Sequence, residues 1–151
     1  MKTRFVALAV FATLVVIAAQ FGVTFRPGPW YEGLAKPSFT PPNAVFPVAW
    51  TVLYVMIGLA GYFAWKAEGI GAAVGVWLLQ LILNAAWSYV MFGRHEIGLA
   101  LAVLAALWLS IAAFIALTWR SSRLAALLFV PYLLWVSFAA LLNFEVWRLN
   151  A

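Results

Sequence analysis

Cysteine and aspartate are both absent from this 151-residue chain, and His95 is its only histidine. Without cysteine there are no disulfides, thiolate nucleophiles or zinc–thiolate clusters, and the redox compartment is left unmarked. The acids are Glu32, Glu68, Glu96 and Glu145, each alone in its stretch of sequence. A Ser-His-acid set, a metal-ligand cluster, a pair of buried carboxylates and a glycine-rich phosphate loop are therefore all missing, and neither a metal nor a cofactor is expected. Charge itself is scarce: 9% of residues are charged, against about 25% in an ordinary soluble domain.

What fills the chain instead is apolar surface, with 68% hydrophobic and 17% aromatic residues. A helix needs about 20 apolar residues to cross the hydrocarbon core. The chain accommodates five such spans, which predicts an all-α integral membrane protein, a five-transmembrane-helix bundle occupying residues 1–151 as a single domain. The expected helices are about 5–23, 44–65, 72–92, 97–119 and 124–147, with one long loop, 24–43, rich in proline. The first run ends in Ala18-Ala19-Gln20, which imitates a cleavable signal, but it is long for one and reads as a retained helix. Asn43 is a good N-cap for the second helix, because Pro47 then falls where no intrahelical N–H bond is lost. Pro131 predicts a kink or an irregular start near Val130 in the fifth.

The net charge of +5 raises the question of nucleic acid. The basic residues nevertheless sit singly between apolar runs, as interfacial anchors do, so the partner is a lipid bilayer and not nucleic acid. Five spans put Lys2, Arg4, Lys66, Arg120 and Arg123 on the amino-terminal side and Arg26, Lys36, Arg94 and Arg148 on the other. That slight excess favours a cytoplasmic amino terminus.

Polar side chains at membrane depth have to face other helices or a cavity, so their spacing marks the inward face. Gln80, Asn84 and Ser88 form one stripe with Trp87 beside it, and Trp135, Ala139 and Asn143 form a notch on the fifth helix. Phe46, Trp50, Leu53 and Ile57 repeat along the second helix beside Tyr54, and Trp108 lies near the middle of the fourth. Either these groups glue helices together or they line an apolar cavity with a few polar anchors, the usual make-up of a small-molecule site. Glu145 is the one acid inside a span, with Arg148 in reach at i+3. Gly71 and Gly75 make a small-xxx-small pattern suited to a homodimer interface.

Trp30-Tyr31, Leu34-Ala35-Lys36-Pro37-Ser38-Phe39-Thr40-Pro41-Pro42 and Val45-Phe46-Pro47-Val48-Ala49-Trp50 form a distinctive series. Gln80 to Ser88, Val130-Pro131-Tyr132-Leu133-Leu134-Trp135 and Leu142-Asn143 to Trp147-Arg148 continue it. This series resembles the TspO/MBR family, bacterial relatives of the mitochondrial translocator protein, or peripheral-type benzodiazepine receptor. The resemblance implies a five-helix bundle, often dimeric, in a bacterial cell membrane. Such a bundle would bind porphyrin-type tetrapyrroles, sterols and synthetic isoquinoline or benzodiazepine ligands.

By position, Trp50, Asn84, Trp108, Trp135, Ala139 and Leu142 look like the family's ligand-binding residues, with Phe46, Tyr54, Trp87 and Asn143 close by. The loop carrying Trp30, Tyr31, Pro41 and Pro42 looks like its lid. The resemblance further implies that Trp50 and Trp135 are the catalytic residues if the protein degrades porphyrin in light, and that Phe144 and Arg148 are the remnant of a sterol motif. Phe144 stands where the family has tyrosine, which weakens the sterol reading.

Overall fold

A computed structural model describes residues 2–151, leaving Met1 outside the described residues. The spans are α1 (Lys2–Thr24), α3 (Val45–Glu68), α4 (Ala72–Ser88, continued by a π-turn over Tyr89–Gly93), α5 (Ile97–Thr118) and α6 (Arg123–Asn150). A short helix, α2 (Pro29–Glu32), stiffens the long loop. By length and apolarity five helices are able to cross a membrane. Helix packing closes a ring: α1 lies against α3, α3 against α6, α6 against α5, α5 against α4, and α4 back against α1. From α3 onward consecutive spans run antiparallel, because the links between them are only a few residues long.

The first helix is built into this ring. Phe11, Val15 and Ala18 are buried against the bundle, and Phe11 meets Trp77 edge-to-face at 4.9 Å. The Trp77 indole is itself fully buried and donates to the Ile57 carbonyl at 2.8 Å, so its polar atom is satisfied inside α3. That close approach needs Gly61, where an added Cβ would come within 2.5 Å of the Trp77 ring and 2.7 Å of Phe11.

Several ends differ from the sequence expectation. Ala44, not Asn43, occupies the cap position of α3, and no side chain caps it; the Val45 N–H is turned back to the Pro42 carbonyl instead. Pro47 still sits in the first turn, where the missing N–H costs nothing. The helix passes Trp65 and stops at Gly69, whose N–H still bonds to the Trp65 carbonyl while its positive φ of 73° turns the chain out of the helix. In α6 the irregular start expected near Val130 is not found. Ser122 accepts the Ala125 N–H at 3.4 Å, and the helix runs through Pro131 to Asn150. Packing against α3 and α5 holds this segment helical although Pro131 leaves one carbonyl unbonded.

The two ends of the ring differ in charge. Lys2, Arg4, Lys66, Arg120 and Arg123 gather at one end with only Glu68, and none forms a salt bridge among the described residues. At the other end Arg94 pairs with Glu96, and Arg148 with Glu145 at 2.6 Å, the i+3 pair expected there.

Candidate functional site

The loop-side end of the ring encloses a cavity. Phe46 and Trp50 of α3, Trp87 and Met91 of α4, and Trp135, Ala139, Leu142, Asn143 and Val146 of α6 line it, with Tyr31 of the loop as its roof. Helical spacing places them, since Trp135, Ala139, Leu142, Asn143 and Val146 all fall on one face of α6. The small side chain of Ala139 leaves the gap between the Trp135 indole and the Asn143 amide. On α4, the π-turn directly after Ser88 shifts the face presented by the last turn, and Val90 and Met91 become buried.

Trp50 is the hub of an aromatic cluster. Its ring centroid lies 6.5 Å from Trp135 at 89°, 6.3 Å from Trp87 at 32°, 6.3 Å from Tyr132 and 5.6 Å from Tyr54. Phe46 closes on Trp135 from the other side at 5.9 Å. These side chains nearly fill the space between them. The open volume is about 40 Å³, room for a water or two, whereas pockets for drug-sized ligands measure about 300–1,000 Å³.

Its polar groups divide into used and unused. The Asn143 amide is engaged at both of its polar atoms, accepting the Trp87 indole N–H at 3.1 Å and donating to the Ile97 carbonyl at 3.0 Å. The indole N–H of Trp135 is buried and has no partner. A buried donor left unpaired costs about 1–3 kcal/mol, which an acceptor on a bound molecule would recover.

Asn84 and Tyr54 do not line the cavity. They lie in a hydrogen-bond chain in which Tyr54 Oη donates to Asn84 Oδ1 (2.8 Å), Asn84 Nδ2 to Tyr132 Oη (2.9 Å), and Tyr132 Oη to Gln80 Oε1 (2.9 Å). This chain ties α3, α4 and α6 together. Trp108 also lies away from the lining, its indole N–H bonded to Ser137 Oγ at 2.8 Å. The sequence reading missed Met91, Val146 and Tyr132. Each stands one helical turn from a residue it did single out: Met91 from Trp87, Val146 from Asn143, and Tyr132 from Trp135.

The loop is held over the cavity at two corners. Trp30 stacks on His95 at 4.1 Å and 12°, and His95 adopts a φ of 60°, a left-handed conformation uncommon for a non-glycine residue. At the opposite corner Asn150 grips the backbone of Ala35, accepting its N–H at 3.0 Å and donating to its carbonyl at 2.9 Å. Tyr31 packs edge-to-face on Phe92, and burial pushes its phenol pKa up, keeping the roof of the cavity neutral. Lys36 lies over the Tyr31 ring and donates to the Glu32 and Leu34 carbonyls. Pro41 and Pro42 lead the loop into α3 without lining the cavity. At the end of α6, Phe144 is exposed and Arg148 is engaged by Glu145, so this stretch offers neither a phenol nor a free guanidinium to a sterol hydroxyl.

A ring of five membrane-spanning helices around an aromatic cavity, closed by a pinned loop, is the architecture of a multi-pass membrane protein of the receptor class. Comparison of the sequence with known families makes this particular: the chain belongs to the TspO/MBR family, whose model matches residues 5–148. It is 40% identical over 151 residues to Protein CrtK of Rhodobacter capsulatus, covering 95% of this chain and 94% of that protein. It is 42% identical over 132 residues to the tryptophan-rich sensory protein of Cereibacter sphaeroides, covering 87% and 84%. Its identity to the human translocator protein is 39% over 126 residues, covering 80% and 75%.

Proposed function

We propose that the protein is a membrane receptor or passive carrier that binds a flat, porphyrin-type tetrapyrrole in the aromatic cavity. The observation that carries this reading is the buried Trp135 N–H, unpartnered among the described residues, on a wall that combines the rings of Tyr31, Phe46, Trp50 and Trp87 with aliphatic side chains and the Asn143 amide. A macrocycle with ring faces and peripheral acceptors complements such a wall. The exposed cation of Arg26, near the lid, suits a propionate at the rim. Lys36 suits it less, being engaged with loop carbonyls. No carboxylate, amine, guanidinium or imidazole stands at mid-span in the described helices, which disfavours a proton-coupled pump. By the charge excess, the amino-terminal end faces the cytoplasm and the lid the outside.

The test is a titration of the purified protein with protoporphyrin IX in the dark, followed by tryptophan fluorescence. Saturable quenching is expected, weakened about tenfold or more in a Trp50→Phe, Trp135→Phe double variant; unchanged affinity in that variant rules out this site. The cluster of Trp50, Trp87 and Trp135 around one cavity also supports a second reading, light-dependent degradation of the bound porphyrin. Under illumination with dioxygen, absorbance of the complex would then bleach faster with the native chain than with the double variant. Equal bleaching removes the enzymatic reading and leaves the receptor intact.

A further inference from the structure

The end of the ring remote from the lid carries a charge pattern that ligand binding in the cavity does not use. Lys2 and Arg4 of α1, Lys66 of α3, and Arg120 and Arg123 at the α5–α6 corner are all exposed, and none is paired with an acid among the described residues. The contrast with the lid end is chemical as well as numerical. There Arg94 and Arg148 are held by glutamates and Lys36 by backbone carbonyls, which leaves Arg26 as the one arginine or lysine at that end without a side-chain partner among the described residues. Beside the free cations stand aromatic residues of the kind that settle at a headgroup layer. Trp119 is 44% exposed with the Arg123 guanidinium 5.7 Å over its ring, and Tyr62 and Trp65 lie near the end of α3.

We propose that this end is a collar for anionic phospholipid headgroups, with the Arg120–Arg123 corner as its strongest point. Guanidinium forks bind phosphate oxygens in pairs, and the Trp119 ring under Arg123 is of the amphipathic kind that settles at the membrane interface. A zwitterionic headgroup offers the same phosphate but carries its own cation, which the five basic residues repel. The collar therefore discriminates by net headgroup charge, and it gives the bundle a preferred leaflet independently of what the cavity binds.

The experiment uses the full chain in neutral detergent, with phosphatidylglycerol and phosphatidylcholine competing at equal concentration and bound lipid counted by native mass spectrometry. The native chain is expected to retain phosphatidylglycerol preferentially. An Arg120→Gln, Arg123→Gln variant should lose that preference by about 25-fold, at roughly fivefold per cation, while Arg26→Gln, Arg94→Gln keeps it. Absence of a preference, or equal loss in both variants, overturns the proposal. Displacement of the lipid by an equal concentration of inorganic phosphate also overturns it, since the site would then recognise a free anion. Should the corner variant not fold, the salt dependence of the native chain decides. The preference must weaken as ionic strength shortens the screening length, and a preference unchanged by salt refutes a charge-based collar.

Discussion

Glycines in this bundle divide sharply by what stands opposite them. At Gly61 a single methyl group would collide with Trp77 and Phe11, both in the core, so Gly61→Ala forces the indole off the Ile57 carbonyl. Overpacking of this kind costs about 1–3 kcal/mol, and thermal unfolding in detergent should show a clear drop in midpoint. At Gly75 the same methyl meets nothing within 4 Å, and Gly75→Ala should be neutral or raise the midpoint slightly, because alanine restricts the unfolded helix. Equal behaviour of the two variants would show that Trp77 does not pack as described. Tyr132→Phe tests a different residue-scale role. It strands Asn84 Nδ2 and Gln80 Oε1 in the core, and a loss of about 1–2 kcal/mol is expected, the range for interhelical bonds in membranes. Porphyrin affinity should fall far less than in the Trp50→Phe, Trp135→Phe variant, because Tyr132 supports the cavity wall without lining it.

On the proposed reading the lid controls function, since a cavity of about 40 Å³ would admit a tetrapyrrole only once the loop moves. Only an open fraction of molecules would then bind, and apparent affinity would be reduced by that fraction. Asn150 and the Trp30–His95 stack both favour the closed state. Asn150→Ala removes the two exposed bonds to Ala35 and one within α6 to the Val146 carbonyl, and on the proposed reading it should leave thermal stability nearly unchanged while speeding porphyrin association several-fold in stopped-flow fluorescence. An unaltered rate would mean that the loop opens at another corner. The latch was invisible in the sequence because Ala35 and Asn150 lie 115 positions apart and the helix signal fades after Trp147. The spans themselves were legible, as apolar run length reports bilayer thickness directly. The inward faces were legible too, since a lipid environment forces Gln80, Asn84, Ser88 and Asn143 toward the bundle, where all four are buried. What spacing alone did not separate was wall from support. Asn84 and Asn143 give the same sequence signal, yet one completes a hydrogen-bond chain below the cavity and the other lines it. The π-turn was equally hidden, because one residue of extra winding leaves no mark in composition.

At the scale of the whole molecule, the ring leaves the outer face of α4 uncovered. Gly71, Gly75, Leu78, Leu79 and Ile82 are exposed along it, with open space at both glycines. In a bilayer this face meets either lipid or a second copy, and glycines favour the second outcome because they let two backbones approach to van der Waals contact. Lipid tails fill a shallow groove poorly, whereas an apposed helix fills it along its length. A homodimer related by a two-fold axis would place the same α4 face on both sides, leaving each cavity and lid clear of the seam. Gly75→Leu is the discriminating change. The side chain projects into open space in the single chain, so the monomer should fold with its cavity unchanged and bind protoporphyrin IX as before. The dimer fraction, read by light scattering or cross-linking in detergent, should fall several-fold. A dimer that persists in Gly75→Leu would move the seam off this helix, and a native chain that is monomeric at all concentrations would leave the α4 face to lipid.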